Sequence, residues 1–520
     1  MGYLAEFWLF VSRLATVTGL LVRALVSFRD RPAVRFRLFF ERAGGGFIKL
    51  GQILALRYDL LPSHYTEELL KLLSRIEPQP FADLEQVFIE ELGERPATFF
   101  RKFNPNPIAS ASISQVYRAT LHSGEEVAVK IKRPGIDYVF ATDFALASFL
   151  AGFIGLLQIF HSINLDELVA EFIIWTKREL DFKFEAENAE VLREHSRRHP
   201  NTIIPKTYLD LSTSRVLITE YMSGIERLDE VIRKLDRNPN LKTDLLHHYR
   251  IDLSQMAYYF IVDGMRQYFI DGFFHADPHP ANVFLAPDNR LGYFDFGIMG
   301  QVDSRRLELL KIVNGIANHN LQAVSEAFLA YSKRQMSEEI ELFRRYRRSD
   351  HAKYERILSK IEEIIIANFR EELEYILAPW YEELTEEGKE FKSSAAAIFS
   401  KLLLKAESYS VYVPREMAIF FRSLIIADMV ALKLDPQFKM IKAFKLFFQE
   451  FPLERAATII EEKSHERELE GEIDPISALD YEQLVEFKAI ERERLAAATE
   501  RLSELVLYYA EHYEEIRKML

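Results

Sequence analysis

The 520-residue chain contains no cysteine, which excludes disulfides, thiolate catalysis and cysteine-based zinc sites and agrees with a reducing cytoplasm. It also lacks an excess of basic charge: 66 Lys and Arg against 79 Asp and Glu give a formal net charge of −13. No role in binding nucleic acid is therefore expected for the whole chain. A hydrophobic content of 48% is typical of globular proteins, and the length favours two or three domains.

Long uninterrupted hydrophobic runs are scarce. Residues 4–27 are apolar but include Glu6, Arg13 and Arg23, which favours an amphipathic helix packed on protein; the alternative is an interfacial membrane helix. Neither a preceding basic segment nor a small-residue cleavage site indicates a signal peptide. Residues 144–160 are uncharged but fall short of a comfortable span. We therefore expect a cytoplasmic protein, with peripheral membrane contact as the further possibility.

Helical and strand-like patterns divide the chain into four segments. The pattern predicts an α+β fold in which a strand-rich lobe precedes a larger helical lobe. The segments are a helical extension (1–100, with a break at glycines 44–46), a strand-rich lobe (101–224), a helical lobe (225–455) and a charged linker with an amphipathic helical tail (456–520).

Local patterns predict the main elements. Two hairpins are expected, ISQVYRATL with EVAVKIKRP around a turn at 122–125, and NVFLAPDNRLGYFDFG around a turn at 287–289. A helical stretch is expected over 144–198, followed by two strands, TIIPKTYLDL and SRVLITEYMSG. Residues 461–475 resemble a charge-dense connector. The apolar positions beyond it favour a helix packed on the body or, alternatively, a self-association seam that would make a homodimer.

The segments FFHADPHPANVFL and GYFDFG carry the strongest chemical signal. Asp277 precedes Asn282 by five residues and Asp295 follows thirteen later, which is the spacing of the catalytic and metal-binding residues of kinases. Carboxylate and amide oxygens suit Mg²⁺, and a separate carboxylate positions or deprotonates the nucleophile. Asn282 and Asp295 are therefore the predicted metal ligands, and Asp277 is the predicted catalytic residue. A zinc site including His275 and His279 is the alternative.

A lysine in VAVKIKRP is the second signal. Strand alternation places Val127 and Val129 on one face and Lys130 on the other. Glu185, on a following helix, is the expected partner, because kinases hold the α- and β-phosphates with a Lys–Glu pair. Both residues are predicted to be catalytic. Since they have to meet on one side of any membrane, residues 144–160 are expected to form a buried helix or an exposed apolar face rather than a crossing.

Two further segments are expected to contact the nucleotide. The small residues of ASASISQV occupy the place of a glycine-rich loop, and their backbone is expected to approach the phosphates through Ala111, Ser112 and Ile113. Glu220 and Met222 end a strand at the expected lobe junction, where backbone groups bind adenine. No APE-like segment follows DFG, so a platform for protein substrates is not visible.

With these residues assembled, the chain resembles the ABC1/UbiB/ADCK family of atypical kinases over residues 40–440. The KxGQ motif matches Lys49–Gln52, the alanine-rich loop matches 109–115, and the ExD motif matches Glu179–Asp181. The resemblance implies a bilobal protein-kinase-like fold with an N-terminal extension whose KxGQ helix covers the site normally used by peptide substrates. It also implies that Lys49 contacts Glu179, and that Lys49, Gln52, Glu179 and Asp181 shape the nucleotide pocket.

The chain departs from the family pattern at three positions. Ser110 stands in place of the second alanine of AAASIGQ, Ser114 in place of its glycine, and Ala281 in place of the glycine of DPHPGN. The first two departures bear on nucleotide preference. The C-terminal segment is charged and amphipathic, so the transmembrane helices that often end bacterial UbiB proteins are not expected.

The sequence supports one main hypothesis and two alternatives. The main one is an Mg²⁺-dependent ATPase or phosphotransferase that uses ATP or ADP and acts in isoprenoid-quinone (ubiquinone) or lipid metabolism, with a lipid or small molecule as substrate. One alternative is a protein serine/threonine kinase. The other is a nucleotide-sensing scaffold of a lipid-biosynthetic complex, against which the intact Asp277, Asn282 and Asp295 argue, because a scaffold needs no base.

Overall fold

The chain folds into two compact units. The first takes in residues 1–199, 203–224 and 293–298, and the second takes in 200–202, 225–292 and 299–520. The computed structural model describes residues 3–26, 31–54, 63–72, 77–156, 169, 172–173, 176–235, 237–238, 240–302, 306–328, 330, 351–385, 394–408 and 415–470.

Helices dominate both units. In the first unit they are α1 (Tyr3–Val26), α2 (Pro32–Ala43), α3 (Gly45–Leu54), α4 (Ser63–Leu69), α5 (Phe81–Leu92), α6 (Pro96–Phe99), α7 (Ile136–Leu156) and α8 (Phe182–Ser196). In the second they are α9 (Leu228–Leu235), α10 (Leu241–Tyr249), α11 (Leu253–Met265), α12 (Arg306–Ala317), α13 (His351–Thr385), α14 (Ala395–Ser408), α15 (Arg415–Leu434), α16 (Met440–Glu450) and α17 (Leu453–Glu470). A π-helical turn, Arg266–Asp271, continues α11.

The strands form three sheets. They are β1 (Phe100–Phe103), β2 (Ala109–Ser110), β3 (Ser114–Leu121), β4 (Glu126–Lys132), β5 (Thr202–Ile203), β6 (Val216–Glu220), β7 (Glu226–Arg227), β8 (Phe273–His275), β9 (Val283–Ala286), β10 (Arg290–Tyr293) and β11 (Met299–Gln301). The sheet of the first unit has the order β1-β3-β4-β6, with β2 pairing β3, a second sheet has the order β5-β10-β9-β7, and β11 pairs β8.

Both predicted hairpins are confirmed. In the first, β3 and β4 are antiparallel with Val116 opposite Lys130, and the turn contains Gly124 at φ 98°. In the second, β9 and β10 are joined by a turn in which Asp288 and Asn289 have φ of 68° and 53°. Asp and Asn tolerate the left-handed region that such tight turns require.

The sheet of the first unit has helices packed against both faces. Val127, Val129 and Ile131 point to one face, where they are fully buried in a cluster with Leu84 and Phe88 of α5. The opposite face carries Leu217 of β6 in a second cluster, which includes side chains of α7 and α8. Because strand side chains alternate, Lys130 lies on the same face as its register partner Leu217, toward α8.

The N-terminal helices pack around a third cluster. Val17 of α1, Phe40 of α2 and Phe47 of α3 are buried with Leu146 of α7. The predicted helix over residues 4–27 is therefore confirmed for 4–26, and residue 27 lies outside the described residues. No helix in the described part of the chain combines the length and the apolar character that a bilayer crossing needs.

The second unit is built mainly of helices packed through aromatic side chains. The ring of Tyr268 lies 4.0 Å from that of Phe420 of α15, and Phe269 contacts Phe447 of α16. These rings bury the π-helical turn directly before β8, and β8 leads into the segment that contains Asp277.

Two sequence predictions in the first lobe were wrong in part. TIIPKTYLDL is not one strand: only Thr202–Ile203 forms a strand, and Leu209–Leu211 is a 3-10 helix. Pro205 has no N–H and cannot continue a ladder. Within the helix predicted over 144–198, the structure describes α7, which begins earlier, at Ile136, and α8, which begins at Phe182, where the side chain of Asp181 caps it by accepting a hydrogen bond from the Lys183 N–H. Residues 157–168 lie outside the described residues.

At the C-terminal end the predicted connector 461–475 is also different. Residues 461–470 continue α17, because Glu, Lys and Arg are good helix formers and charge density alone does not break a helix. Residues 471–475 and the predicted tail helix lie outside the described residues, as do residues 157–160 of the apolar stretch. The four-segment division of the chain stays a prediction.

Candidate functional site

The first element of the site is an ion pair between β4 and α8. The Lys130 ammonium lies 2.8 and 2.6 Å from the two carboxylate oxygens of Glu185, which is 4% exposed. The same ammonium lies 4.9 Å from the ring centroid of Phe182, a cation–π contact. Asp181 caps α8, and Phe182 and Glu185 both lie in the first turn of that helix.

A second ion pair joins α3 to the residues just before α8. The Lys49 ammonium lies 2.6 and 2.5 Å from the carboxylate oxygens of Glu179, and both side chains are largely buried. The contact that the family resemblance implied is thus present. The other two residues of these motifs face elsewhere: the Gln52 amide donates to the Leu72 carbonyl at 3.3 Å, and Asp181 serves as the helix cap.

The start of α3, and with it Lys49, is fixed by a buried carboxylate that sequence reasoning missed. Asp143 of α7 is 1% exposed, and it accepts hydrogen bonds from the Gly46 N–H at 2.7 Å and from the Arg13 guanidinium at 2.7 and 3.0 Å. A Cβ atom at Gly45 or Gly46 would lie 2.6 or 2.9 Å from Asp143. Glycine is therefore required for this close approach.

Asp295 is electrostatically coupled to both ion pairs. It has φ of 57°, its carboxylate accepts from the Gly297 N–H at 3.2 Å, and the following Phe296 carbonyl accepts from Asn188 of α8 at 2.9 Å. The DFG segment is thereby tied to the helix that carries Glu185. Burial disfavours the Lys130 ammonium, but Glu185 and Asp295 outweigh it and raise the Lys130 pKa.

The pKa values of the two paired carboxyl groups are raised as well, which for a carboxyl group disfavours the charged form. Burial raises the pKa of Glu185 to about 7 although Lys130 lowers it, and the Asp295 charge adds to the increase. Burial also raises the pKa of Glu179, with Lys49 opposing and Asp295 adding to it. Two ammonium groups therefore lie within electrostatic reach of three carboxylates, of which Glu185 is buried and Asp295 is exposed. A divalent cation would relieve this excess of negative charge, and the ammonium groups suit phosphate oxygens, so the donor set fits a magnesium nucleotide.

The second unit contains the catalytic-loop residues. The Asn282 amide donates to the backbone carbonyl and to the carboxylate of Asp277, both at 3.2 Å. The Asp277 N–H donates to Nδ1 of His275 at 3.3 Å, and the Ala281 N–H donates to Nδ1 of His279 at 3.2 Å. Burial lowers the pKa of His279. Both histidines thus accept backbone hydrogen bonds and shape the loop.

The zinc alternative gains no support from this loop. Within the described ranges, no group of three His, Asp or Glu side chains is arranged to hold a metal ion. Asn282 and Asp277 are brought together in the second unit, whereas Lys130, Glu185 and Asp295 are brought together in the first. Their convergence on one nucleotide stays a prediction.

A buried polar network supports the catalytic loop and was also missed. The Gln267 amide oxygen accepts the His275 N–H at 2.9 Å, and its nitrogen donates to Asp263 at 2.7 Å. Arg266 bonds to Asp263 at 2.8 Å and to Asp271, whose pKa burial raises to about 6. The available signal was the charged residues inside the apolar run FIVDGMRQYFIDGFF, since buried charges need partners.

The residues predicted to hold the rest of the nucleotide are placed as follows. Ala111 is exposed and Ser112 half-buried in the β2–β3 connection, whereas the Ile113 side chain is 4% exposed and belongs to the core. Only the backbone of Ile113 remains for nucleotide contact. Glu220 ends β6 opposite Val127, and Met222 follows two residues later. Their roles stay predictions.

Comparison with known proteins gives consistent matches. A family model described as the ABC1 atypical kinase-like domain matches residues 71–328. An uncharacterized protein of Synechocystis sp. is 35% identical over 284 residues, which are 54% of this chain and 67% of that protein. The chloroplastic protein ACTIVITY OF BC1 COMPLEX KINASE 3 of Arabidopsis thaliana is 29% identical over 420 residues, 80% of this chain and 53% of that protein.

A solved structure also matches. The complex of Rv3197 with erythromycin from Mycobacterium tuberculosis gives a TM-score of 0.49 at 23% identity and covers 81% of this chain and 95% of that chain. The alignments span about half to two thirds of the length of the curated relatives.

Proposed function

Since the chain belongs to the ABC1 atypical kinase-like family, we propose that it binds a magnesium nucleotide and transfers or hydrolyses the terminal phosphoryl group. The observation that carries the proposal is the buried Lys130–Glu185 pair, which lies within the electrostatic reach of Asp295. An ion pair with only a structural role would not require Asp295 nearby, because the negative charge of Asp295 disfavours the ionised form of Glu185.

Each residue of the proposed site has a distinct task. Lys130 holds the α- and β-phosphates, and Glu185 orients its ammonium. Asn282 and Asp295 hold Mg²⁺, which when bound neutralises phosphate oxygens. Asp277 positions or deprotonates the attacking hydroxyl group, and its bond from the Asn282 amide fixes the orientation of its carboxylate.

A small molecule or lipid of isoprenoid-quinone metabolism is the proposed acceptor. The support is the family resemblance together with the Lys49–Glu179 pair, which fastens α3 beside the DFG segment. A fixed helix there favours a small acceptor over a folded protein. The name of the Arabidopsis relative connects that protein to the bc1 complex, and its role comes to this chain only as part of the proposal.

Peripheral membrane contact by a cytoplasmic protein completes the proposal. Val22 and Val26 of α1 are 53% and 64% exposed, and Phe149 of α7 is 53% exposed. Exposed apolar side chains on neighbouring helices are typical of surfaces that meet lipid or a partner. Co-sedimentation with anionic vesicles tests this part: Val22→Asp should weaken binding, and unchanged binding would contradict it.

Homodimer formation stays a prediction, tested by the mass in solution.

The fate of labelled phosphate tests the proposed function. The protein is incubated with Mg²⁺ and γ-labelled ATP, with and without quinone-containing vesicles, and the label is followed into inorganic phosphate, lipid and protein. We expect label in inorganic phosphate or lipid, lost in Lys130→Met and Asp295→Asn. The exposed Lys102→Met on β1 and the exposed Asp210→Asn are matched controls. Label in added protein would indicate a protein kinase, and nucleotide binding without release of label would indicate a scaffold.

A further inference from the structure

Arg133, directly after β4, contacts the alanine-rich loop at several points. Its guanidinium donates to the Ala111 carbonyl at 2.9 Å and to the Ser110 hydroxyl at 2.8 Å. Its backbone N–H donates to the Ile113 carbonyl at 2.8 Å. One residue therefore holds both ends of the three-residue connection between β2 and β3.

The same guanidinium also reaches the segment before α5. It donates to the Glu77 carbonyl at 3.1 Å, and two residues later the backbone of Gln79 exchanges hydrogen bonds with the buried Gln115 side chain at 2.5 and 3.2 Å. The loop, the end of β4 and the segment after the N-terminal helices are thus fastened together. Such side chain-to-backbone bonds order the backbone of the loop.

The charge of Arg133 is not neutralised by these contacts. Arg133 is 8% exposed, and every acceptor that its guanidinium contacts within the described ranges is a carbonyl or a hydroxyl. A buried cation without a carboxylate partner is costly unless a ligand uses its charge. Next to a loop that the proposed function places over the phosphates, that charge would attract them.

Ser110 makes this arrangement particular to the chain. The family pattern has an alanine at this position, and an alanine side chain cannot accept a hydrogen bond. We propose that Arg133, together with Ser110, is a positioning pair that fixes the loop 111–113 and supplies the positive charge that sets nucleotide affinity. This inference rests on the proposed nucleotide site.

The expected effects follow from the contacts. Losing a buried charge-assisted network and its ordering of the loop is expected to weaken Mg·ADP and Mg·ATP binding about ten-fold in Arg133→Gln. Ser110→Ala removes one bond and is expected to weaken binding about three-fold. The double variant should bind no more weakly than Arg133→Gln, because the serine acts through the arginine.

Calorimetric titration with Mg·ADP and Mg·ATP, combined with amide hydrogen exchange, tests the proposal. The matched control is Arg101→Gln, which replaces an exposed arginine of β1. If Arg133→Gln fails to fold, Arg133→Lys, which keeps the positive charge, is measured in its place. The expected result is weaker binding and faster exchange at residues 111–113 in the Arg133 and Ser110 variants only. Unchanged affinity with a lowered Tm would reduce Arg133 to a structural role and overturn the proposal. If the unaltered protein binds no nucleotide, the proposed function fails. Faster amide exchange at residues 111–113 in the Arg133 and Ser110 variants would then still support their role in fixing the loop. Unchanged exchange would refute that role.

Discussion

Replacing Lys130 by methionine removes the ammonium and leaves the buried Glu185 without its partner, while the charges of Asp295 and Glu179 continue to disfavour its ionised form. Breaking a buried ion pair costs about 3–5 kcal/mol. Glu185 limits the loss by binding a proton, and because burial already raises its pKa to about 7, protonation costs little at that pH. We therefore expect the free energy of unfolding to fall by less than the full cost of a broken buried pair, about 1–3 kcal/mol at pH 7.

The pH dependence makes this prediction specific. In the unaltered protein the pKa of Glu185 is raised to about 7. Above that pH the carboxyl group is ionised in both the folded and the unfolded protein, so it no longer makes the free energy of unfolding depend on pH. Without Lys130 the pKa rises further, and the folded variant keeps a proton that the unfolded chain has lost. Its stability then continues to fall as pH rises, and the difference from the unaltered protein widens by about 1.4 kcal/mol per pH unit above pH 7.

Urea unfolding at several pH values between 6 and 9 measures both quantities. The double variant Lys130→Met/Glu185→Gln should recover most of the lost stability, because no unpaired charge remains. Lys102→Met on the exposed side of β1 should have no effect. A loss below about 1 kcal/mol at pH 7 with no widening at higher pH would refute the account of the pair.

Three further predictions concern buried polar groups. Asp143→Asn should lower the free energy of unfolding by about 1–3 kcal/mol and speed amide exchange at Gly46; unchanged exchange would contradict its role at α3. Gln267→Leu leaves the buried His275 N–H without its acceptor and should cost about 2–4 kcal/mol in urea unfolding, whereas a neutral result would show that the network is dispensable. Burial raises the pKa of Asp428 to about 7, so its folded form loses stability as pH rises toward 7; Asp428→Asn should therefore gain Tm relative to the unaltered protein between pH 5 and 8, and a constant difference would contradict this.

The parts of the fold that local patterns determine were predictable. The alternation in β4 placed Lys130 on the face of the strand opposite to that of Val127 and Val129. The two hairpins followed from the residues of their turns. The α+β kinase-like fold and the family are confirmed by the ABC1 match over residues 71–328. TIIPKTYLDL was mispredicted because its hydrophobic residues pack without continuing a ladder through Pro205.

The contacts between distant segments were not predictable from the residues alone. Lys49 with Glu179 came from the family resemblance, since spacing indicated only a polar helix face. Arg13 with Asp143 and the anchor at Arg133 join segments far apart in the chain, and single charged residues carry no sign of their partners. Only the folded structure identifies which charged side chains are buried and what they contact.

Nucleotide-dependent binding of Mn²⁺, a spectroscopic substitute for Mg²⁺, tests the central claim most directly. Electron paramagnetic resonance measures the free Mn²⁺ that remains after protein and ATP are mixed. Free Mn²⁺ is expected to fall when protein and ATP are both present. Asp295→Asn and Asn282→Leu should each abolish this decrease, whereas Asp210→Asn should leave it intact. Equal Mn²⁺ binding by the unaltered protein and by both site variants would contradict the claim that Asn282 and Asp295 hold a metal nucleotide.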